Sequence, residues 1–187
     1  MRGRALNFML AKDRVTRWTA EHVAALAGAQ VSYILIITGD DVRPAIPGLM
    51  LWDLWPVQHV DGSTLTIDGA EIWVIMCAPS DVHPDARHDI ARLRLAMYRD
   101  GKWTDCGHLL PDGLNPGTRE WAGSTVYDSG SGTLTLFYTA TGRRGEPRPS
   151  FEQRLFQTSG QLLVEGGKVH AANWSEPVEN VISDDVH

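Results

Sequence analysis

The sequence is poor in cysteine, with only Cys77 and Cys106. Two residues make no disulfide framework, their spacing matches no metal site, and both are expected to be free thiols that pack as small hydrophobes. Basic charge is also short. The 17 Lys and Arg residues stand against 23 Asp and Glu, for a formal charge of −6 with no long basic run. That balance argues against nucleic acid or an anionic membrane surface as partner and suits a neutral small molecule. No apolar stretch reaches the length that spans a bilayer, and the run Val31 to Thr38, VSYILIIT, is predicted to be a buried strand instead. The opening MRGRALNFMLAKDR has a basic head, but Asn7 interrupts its apolar run and Lys12 ends it, too early for a signal-peptide core. The expectation is a soluble, cytoplasmic chain, with unconventional export as the alternative. Gly-rich phosphate loops, a serine nucleophile elbow and zinc signatures are all missing, so no cofactor is expected.

What is present is enough apolar residue, 43%, for one domain with a core. Thr19 is placed as the N-cap of a short helix, with Glu21 in its first turn and Gly28 as its stop. After Gly39-Asp-Asp41 and the prolines 44 and 47, branched and aromatic runs alternate with turns that need positive φ. Thr64–Ile67 and Glu71–Met76 flank Asp68-Gly69; Leu93–Tyr98 and Trp103 flank Asp100-Gly101; Trp121–Tyr127 and Leu134–Thr139 flank Asp128–Gly132. A fourth group comprises Gln153–Gln157, Gln161–Val164 and Val169–Ala172 around Gly166-Gly167. The reading is an all-β, antiparallel, meander-rich protein, and periodicity alone leaves sandwich, barrel and propeller open.

Two polar stretches are assigned to the surface. Ala78–Asp89 holds His83 and His88 near Asp81, Asp85 and Asp89, but matches no metal-ligand spacing and is expected to be a solvated insertion loop. Gly142-Arg-Arg-Gly-Glu-Pro-Arg-Pro149 is expected to be an exposed loop. The adjacent Asp184 and Asp185 near the chain end are read as solvated rather than as metal ligands. No metal site is assigned.

The stretch that carries chemistry is Leu51-Trp52-Asp53-Leu54-Trp55-Pro56-Val57-Gln58, one carboxylate between two indoles ahead of a proline. Pro56 keeps Trp55 extended, which makes the segment a strand end or rim loop able to aim Asp53 at a ligand. Indoles cover the apolar C–H face of a sugar while a carboxylate takes its hydroxyls or attacks its anomeric carbon. The alternative is that the tryptophans fill a core and Asp53 caps a turn. A second stretch, Thr118-Arg119-Glu120-Trp121-Ala122-Gly123-Ser124, again sets an indole beside small residues at the start of a strand.

Together the WDLWPVQ and REWAGS segments resemble glycoside hydrolase family 68, the levansucrase, inulosucrase and bacterial β-fructofuranosidase family, with the resemblance strongest from Leu51 to Thr139. The resemblance implies a five-bladed β-propeller and a retaining mechanism on sucrose and fructosyl acceptors. It implies Asp53 as the nucleophile that forms a covalent fructosyl-enzyme, with Trp52 and Trp121 as walls of the fructose subsite. Ala122 occupies a position where some members carry serine beside the nucleophile. The family's acid/base motif of the Asp-Glu-Ile-Glu-Arg type and its Arg-Asp-Pro motif do not occur. Arg99-Asp100-Gly101 is read as a hairpin turn instead. Ten to twelve predicted strands make two to three blades, fewer than closure requires. The expectation is therefore that residues 1–187 form the N-terminal portion of one propeller domain, completed by a second polypeptide in a heterodimer. A non-catalytic sugar-binding or scaffold fragment is the alternative, a truncated piece of a longer enzyme is a third possibility, and hydrolysis against transfer is left open.

Overall fold

The computed structural model describes residues 17–29 and 34–181. The chain divides into two compact units, Met1–Val42 and Arg43–His187. In the first, helix α1 (Ala20–Leu26) begins where expected: Thr19 Oγ1 accepts from the His22 N–H at 3.4 Å and His22 Nδ1 accepts from the Thr19 N–H at 3.1 Å. The reciprocal cap satisfies two of the N–H groups that a helix start leaves without partners. The buried strand expected over Val31–Thr38 is not found. Residues 31–33 lie outside the described residues, while 34–38 adopt no regular structure and Ile34 to Ile37 are 73–89% exposed. Branched side chains favour a strand only where a neighbouring strand supplies ladder hydrogen bonds, and this segment pairs with none among the described residues.

The second unit is two sheets, antiparallel except for one short parallel pairing. In the first, β1 (Leu49–Pro56), β4 (Ala70–Pro79), β5 (Arg92–Arg99) and β6 (Lys102–His108) lie side by side, with the short β3 (Thr66–Ile67) also on β4. In the second the order is β10 (Lys168–Ala172), β9 (Gln153–Glu165), β8 (Thr133–Thr141) and β7 (Arg119–Asp128), with β11 (Val178–Glu179) on β9. The hairpin turns behave as their residues require. Asp68-Gly69 has φ of 50° and 76°, and Asp100-Gly101 has 51° and 77°, the paired positive values of a tight primed turn. The two runs expected on either side of residue 159 are one strand of 13 residues.

One face of each sheet builds a common core. Alternate residues Ile72, Val74 and Met76 of β4 and Leu93, Leu95 and Met97 of β5 join Leu134, Leu136, Tyr138 and Ala140 of β8. At roughly 1.5–3 kcal/mol for each large apolar side chain buried, this shared face holds the sheets together. A smaller cluster of Ile46, Ile75 and Ala96, with Leu49, Leu51 and Trp103 against it, lies on the other face of the first sheet. The chain also crosses between sheets directly. After Pro56 it passes through buried Val57 into β2 (Gln58–His59), which pairs in parallel with β7, Gln58 opposite Val126 and His59 opposite Tyr127. Two core-sharing sheets of five and six strands, each built on an antiparallel run of four and joined in this way, are consecutive propeller blades, and the architecture is all-β with a short N-terminal helix, as expected.

The loop after β8 is exposed at Arg143 to Gly145, yet it is pinned. Arg143 grips Glu152 through two contacts of 2.6 Å, and Arg144 donates to the Gly113 carbonyl at 2.6 Å and to the Asn115 carbonyl.

Candidate active site

Both stretches singled out in the sequence fall on β-bulges. In the β1–β4 ladder Leu51 opposes Cys77 and Leu54 opposes Ile75, so Trp52 and Asp53 together face the single residue Met76. Such a bulge re-aims side chains that strict alternation would send elsewhere. Trp52 and Trp55 are three positions apart and would lie on opposite faces of a regular strand. Here both pack on the common core. Asp53 takes up the irregularity: it is exposed, and among the described residues no hydrogen bond or ion pair holds its carboxylate.

The β7 bulge has the same form. Trp121 opposes Thr139 and Gly123 opposes Tyr138, leaving Ala122 without a partner of its own. Gly123 is required there, because a Cβ would sit 1.9 Å from the Phe137 carbonyl oxygen and 2.8 Å from the Tyr138 Cα. Trp121 is half-buried, its Nε1 shielded and without a hydrogen-bond partner among the described residues.

Trp52 and Trp121 approach each other through a third ring. The His88 centroid lies 5.3 Å from that of Trp52 and 6.3 Å from that of Trp121. The arc continues to Phe151, 6.2 Å from Trp121, and the Arg119 guanidinium lies over the Phe151 ring at 5.4 Å. Trp55, the other indole flanking Asp53 in sequence, instead packs on the core with its Nε1 buried.

Underneath, Arg119 and Glu120 bind the two sheets. The Arg119 side chain is fully buried, donates to the Ser150 carbonyl and pairs with Asp89 at 3.4 Å. Glu120 accepts from the Arg92 guanidinium at 3.1 Å and from the Leu93 N–H at 3.0 Å. Burial pushes the Glu120 carboxyl above its ordinary range, against the pull of Arg92 and the Leu93 N–H. Arg92 also reaches Asp112 at 2.5 Å and the Leu110 carbonyl at 2.9 Å.

His88, Asp89 and Arg119 are residues that sequence reasoning missed. The 78–89 segment is largely exposed and carries the short helix α2 (Pro84–Arg87), but it is not merely a solvated insertion, because it returns His88 and Asp89 to the site. A readable signal did exist for the β1 bulge: Pro56 keeps Trp55 extended, and two indoles three positions apart share one face of a strand only if one residue is extra. No comparable signal marks His88. Cys77 and Cys106 are free thiols, and burial pushes Cys77 up to about 11, which makes it a packing residue and not a nucleophile. Among the described residues no three His, Cys, Asp or Glu side chains are arranged to hold a metal ion, and no helix is long and apolar enough to cross a membrane. Asp184 and Asp185 lie outside the described residues.

Residues 7–177 match the levansucrase/invertase family. The chain belongs to glycoside hydrolase family 68. It is 29% identical over 128 residues to an extracellular sucrase of Zymomonas mobilis, covering 67% of this chain and 31% of that protein. It is 31% identical over 110 residues to levansucrase LscA of Pseudomonas savastanoi pv. glycinea, covering 49% of this chain and 26% of the relative. Among solved structures, the inulosucrase from Halalkalicoccus jeotgali bound to kestose superposes with a TM-score of 0.68 at 35% identity, over 76% of this chain and 35% of that one. Bacillus subtilis levansucrase shares the fold with a TM-score of 0.63 at 19% identity, over 81% and 36%. This family 68 chain thus spans about a third of the length of the relatives it matches. The cytoplasmic expectation is corrected here: two Zymomonas mobilis relatives are named extracellular sucrases, which points to secretion rather than to the cytoplasm. That expectation rested on the lack of a visible leader, and absence is weak ground in a chain that covers so small a share of its relatives.

Proposed function

We propose that this chain is a subunit of a retaining sucrose-cleaving β-fructofuranosidase or fructosyltransferase in which Asp53 is the nucleophile and Trp52, Trp121 and Ala122 contribute to the fructose subsite. The observation that carries the reading is the Asp53 carboxylate itself, exposed on a bulge beside Trp52, with no side chain among the described residues neutralising it. A nucleophile must be free to meet the anomeric carbon, and a structural aspartate would be capped or paired. Asp53 attacks C2 of the fructosyl unit while a glutamate from a second polypeptide, about 5 Å away, protonates the glycosidic oxygen and releases glucose. Water then yields fructose, or a sugar hydroxyl yields a transfer product.

The blades that complete the propeller, assigned in this reading to a second polypeptide, have an unfinished surface to meet. Leu136 and Tyr138 of β8 point into the core, so Thr135, Phe137 and Thr139 lie on the far face of the second sheet, where Thr139 pairs with Leu155 of β9. Leu155 is 50% exposed and Val178, paired to β9 at Gln157, is 57% exposed, a surface suited to a further blade. A non-catalytic sugar-binding or scaffold subunit is the second reading, favoured by one observation: neither the acid/base motif nor Arg-Asp-Pro occurs in the chain.

In the assembled enzyme Asp53→Asn abolishes glucose release from sucrose and leaves the thermal midpoint unchanged. Cleavage near the wild-type rate by that variant refutes the assignment.

A further inference from the structure

His88 stands where the two indoles of separate sheets meet, yet it belongs to neither sheet. It arrives on the connection between β4 and β5, just past α2, and its flanking residues are both fixed. Arg87 closes the connection on itself, donating from Nε to the Val82 carbonyl and from Nη2 to the Ser80 carbonyl, each at 2.8 Å. Asp89 pairs with the buried Arg119 at 3.4 Å, and its N–H donates to the Ala86 carbonyl at 3.1 Å. The imidazole between these anchors is tilted 41° to Trp52 and set edgewise, at 75°, to Trp121. It is exposed, and among the described residues neither ring nitrogen has a hydrogen-bond partner.

A ring that only filled space between two tryptophans would be as well served by phenylalanine. What imidazole adds is a donor and an acceptor on one rigid plane. Indole faces cover C–H surface and take no hydroxyl, and the Trp121 Nε1 is buried away from ligand. The wall beside Asp53 therefore carries its free polar atoms on His88. We infer that His88 is a sugar-binding residue of this site, its imidazole exchanging a hydrogen bond with a hexose hydroxyl in the gap between Trp52 and Trp121. The inference rests on the reading of Asp53 as the centre of a sucrose-cleaving site.

Three variants of the assembled enzyme separate packing from hydrogen bonding. His88→Phe keeps the ring and loses both nitrogens, His88→Ala loses everything, and His88→Gln restores a donor and an acceptor. For the first two, kcat/KM for sucrose falls about 10-fold, with most of the change in KM, the size expected of one lost hydrogen bond at an exposed site. His88→Gln recovers to within about 3-fold of wild type. Wild-type kinetics in His88→Phe, or no recovery in His88→Gln, overturns the inference. A direct measurement covers variants that fail to fold: in the Asp53→Asn enzyme, the His88 ring resonances in a ¹H–¹⁵N spectrum, assigned by their loss in His88→Gln, shift on addition of sucrose. If they shift while the wild-type enzyme leaves sucrose intact, the cleavage reading falls and His88 stands as part of a sugar-binding site. If sucrose is cleaved and they do not shift, the role of His88 alone falls. If sucrose is left intact and they do not shift, both fall.

Discussion

The carboxylate of Glu120, at the start of β7 in the second sheet, accepts the backbone N–H of Leu93, at the start of β5 in the first, at 3.0 Å. Both residues are buried, so this donor has no water to turn to if the carboxylate is removed. Arg92 is better insured, since Asp112 and the Leu110 carbonyl remain within its reach. Glu120→Ala should therefore lower stability by about 1–3 kcal/mol, the cost of one orphaned buried donor rather than of a whole broken ion pair. The urea midpoint measures it, and a shift under a few tenths of a kcal/mol would mean that the sheets are held by apolar packing alone.

His108 faces Arg94 across the β5–β6 ladder, its Nε2 3.2 Å from the guanidinium. Arginine only donates, so that nitrogen must accept and the ring must be neutral. Burial first, and then the charges of Arg92 and Arg94, hold the imidazole below its ordinary value of 6.5. A group with a depressed folded-state pKa contributes stability that is complete above the unfolded value and drains away as pH falls through the folded one. The thermal midpoint should drop between pH 7.5 and pH 5, and His108→Gln, which keeps an acceptor but does not titrate, should flatten that part of the profile. Asp105, whose own burial is outweighed by its Arg94 and Gly107 hydrogen bonds, has its carboxyl lowered and loses its contribution only in stronger acid. An unchanged slope in the variant would remove His108 as the cause.

Gly123 admits no side chain, since the atoms a Cβ would strike are backbone atoms of β8, which cannot swing aside. Gly123→Ala should cost about 1–3 kcal/mol or more through overpacking. Because the β7 bulge is what positions Trp121, the proposed fructose subsite predicts weaker sucrose binding in the same variant. Gly28→Ala is the matched control, as a Cβ there meets nothing within 4 Å. Equal urea midpoints for the two variants would show that the bulge can repack.

The turns were the most legible feature of the sequence. Asp68-Gly69 and Asp100-Gly101 place hairpins because few residue pairs accept consecutive positive φ, a local property that needs no tertiary context. The same argument correctly demoted Arg99-Asp100-Gly101 from a sugar-gripping motif to a turn. The branched run near Ile34 misled, because strand formation depends on a neighbour that local sequence does not announce. Among the candidate site residues, Trp52, Asp53 and Trp121 stood out as indoles and a carboxylate in family-like segments. His88 and Asp89 could not, since their importance comes from a loop folding back over residues distant in sequence.

The parallel pairing of β2 with β7 sets a condition on how the chain can be assembled. As the polypeptide leaves the ribosome, Gln58 and His59 emerge long before Val126 and Tyr127, and their ladder cannot form until the whole of the first sheet has been synthesised. Closure over so long a loop is entropically expensive and slow, so the nascent first sheet must wait with one apolar side uncovered, in reach of chaperones and of other unfinished chains.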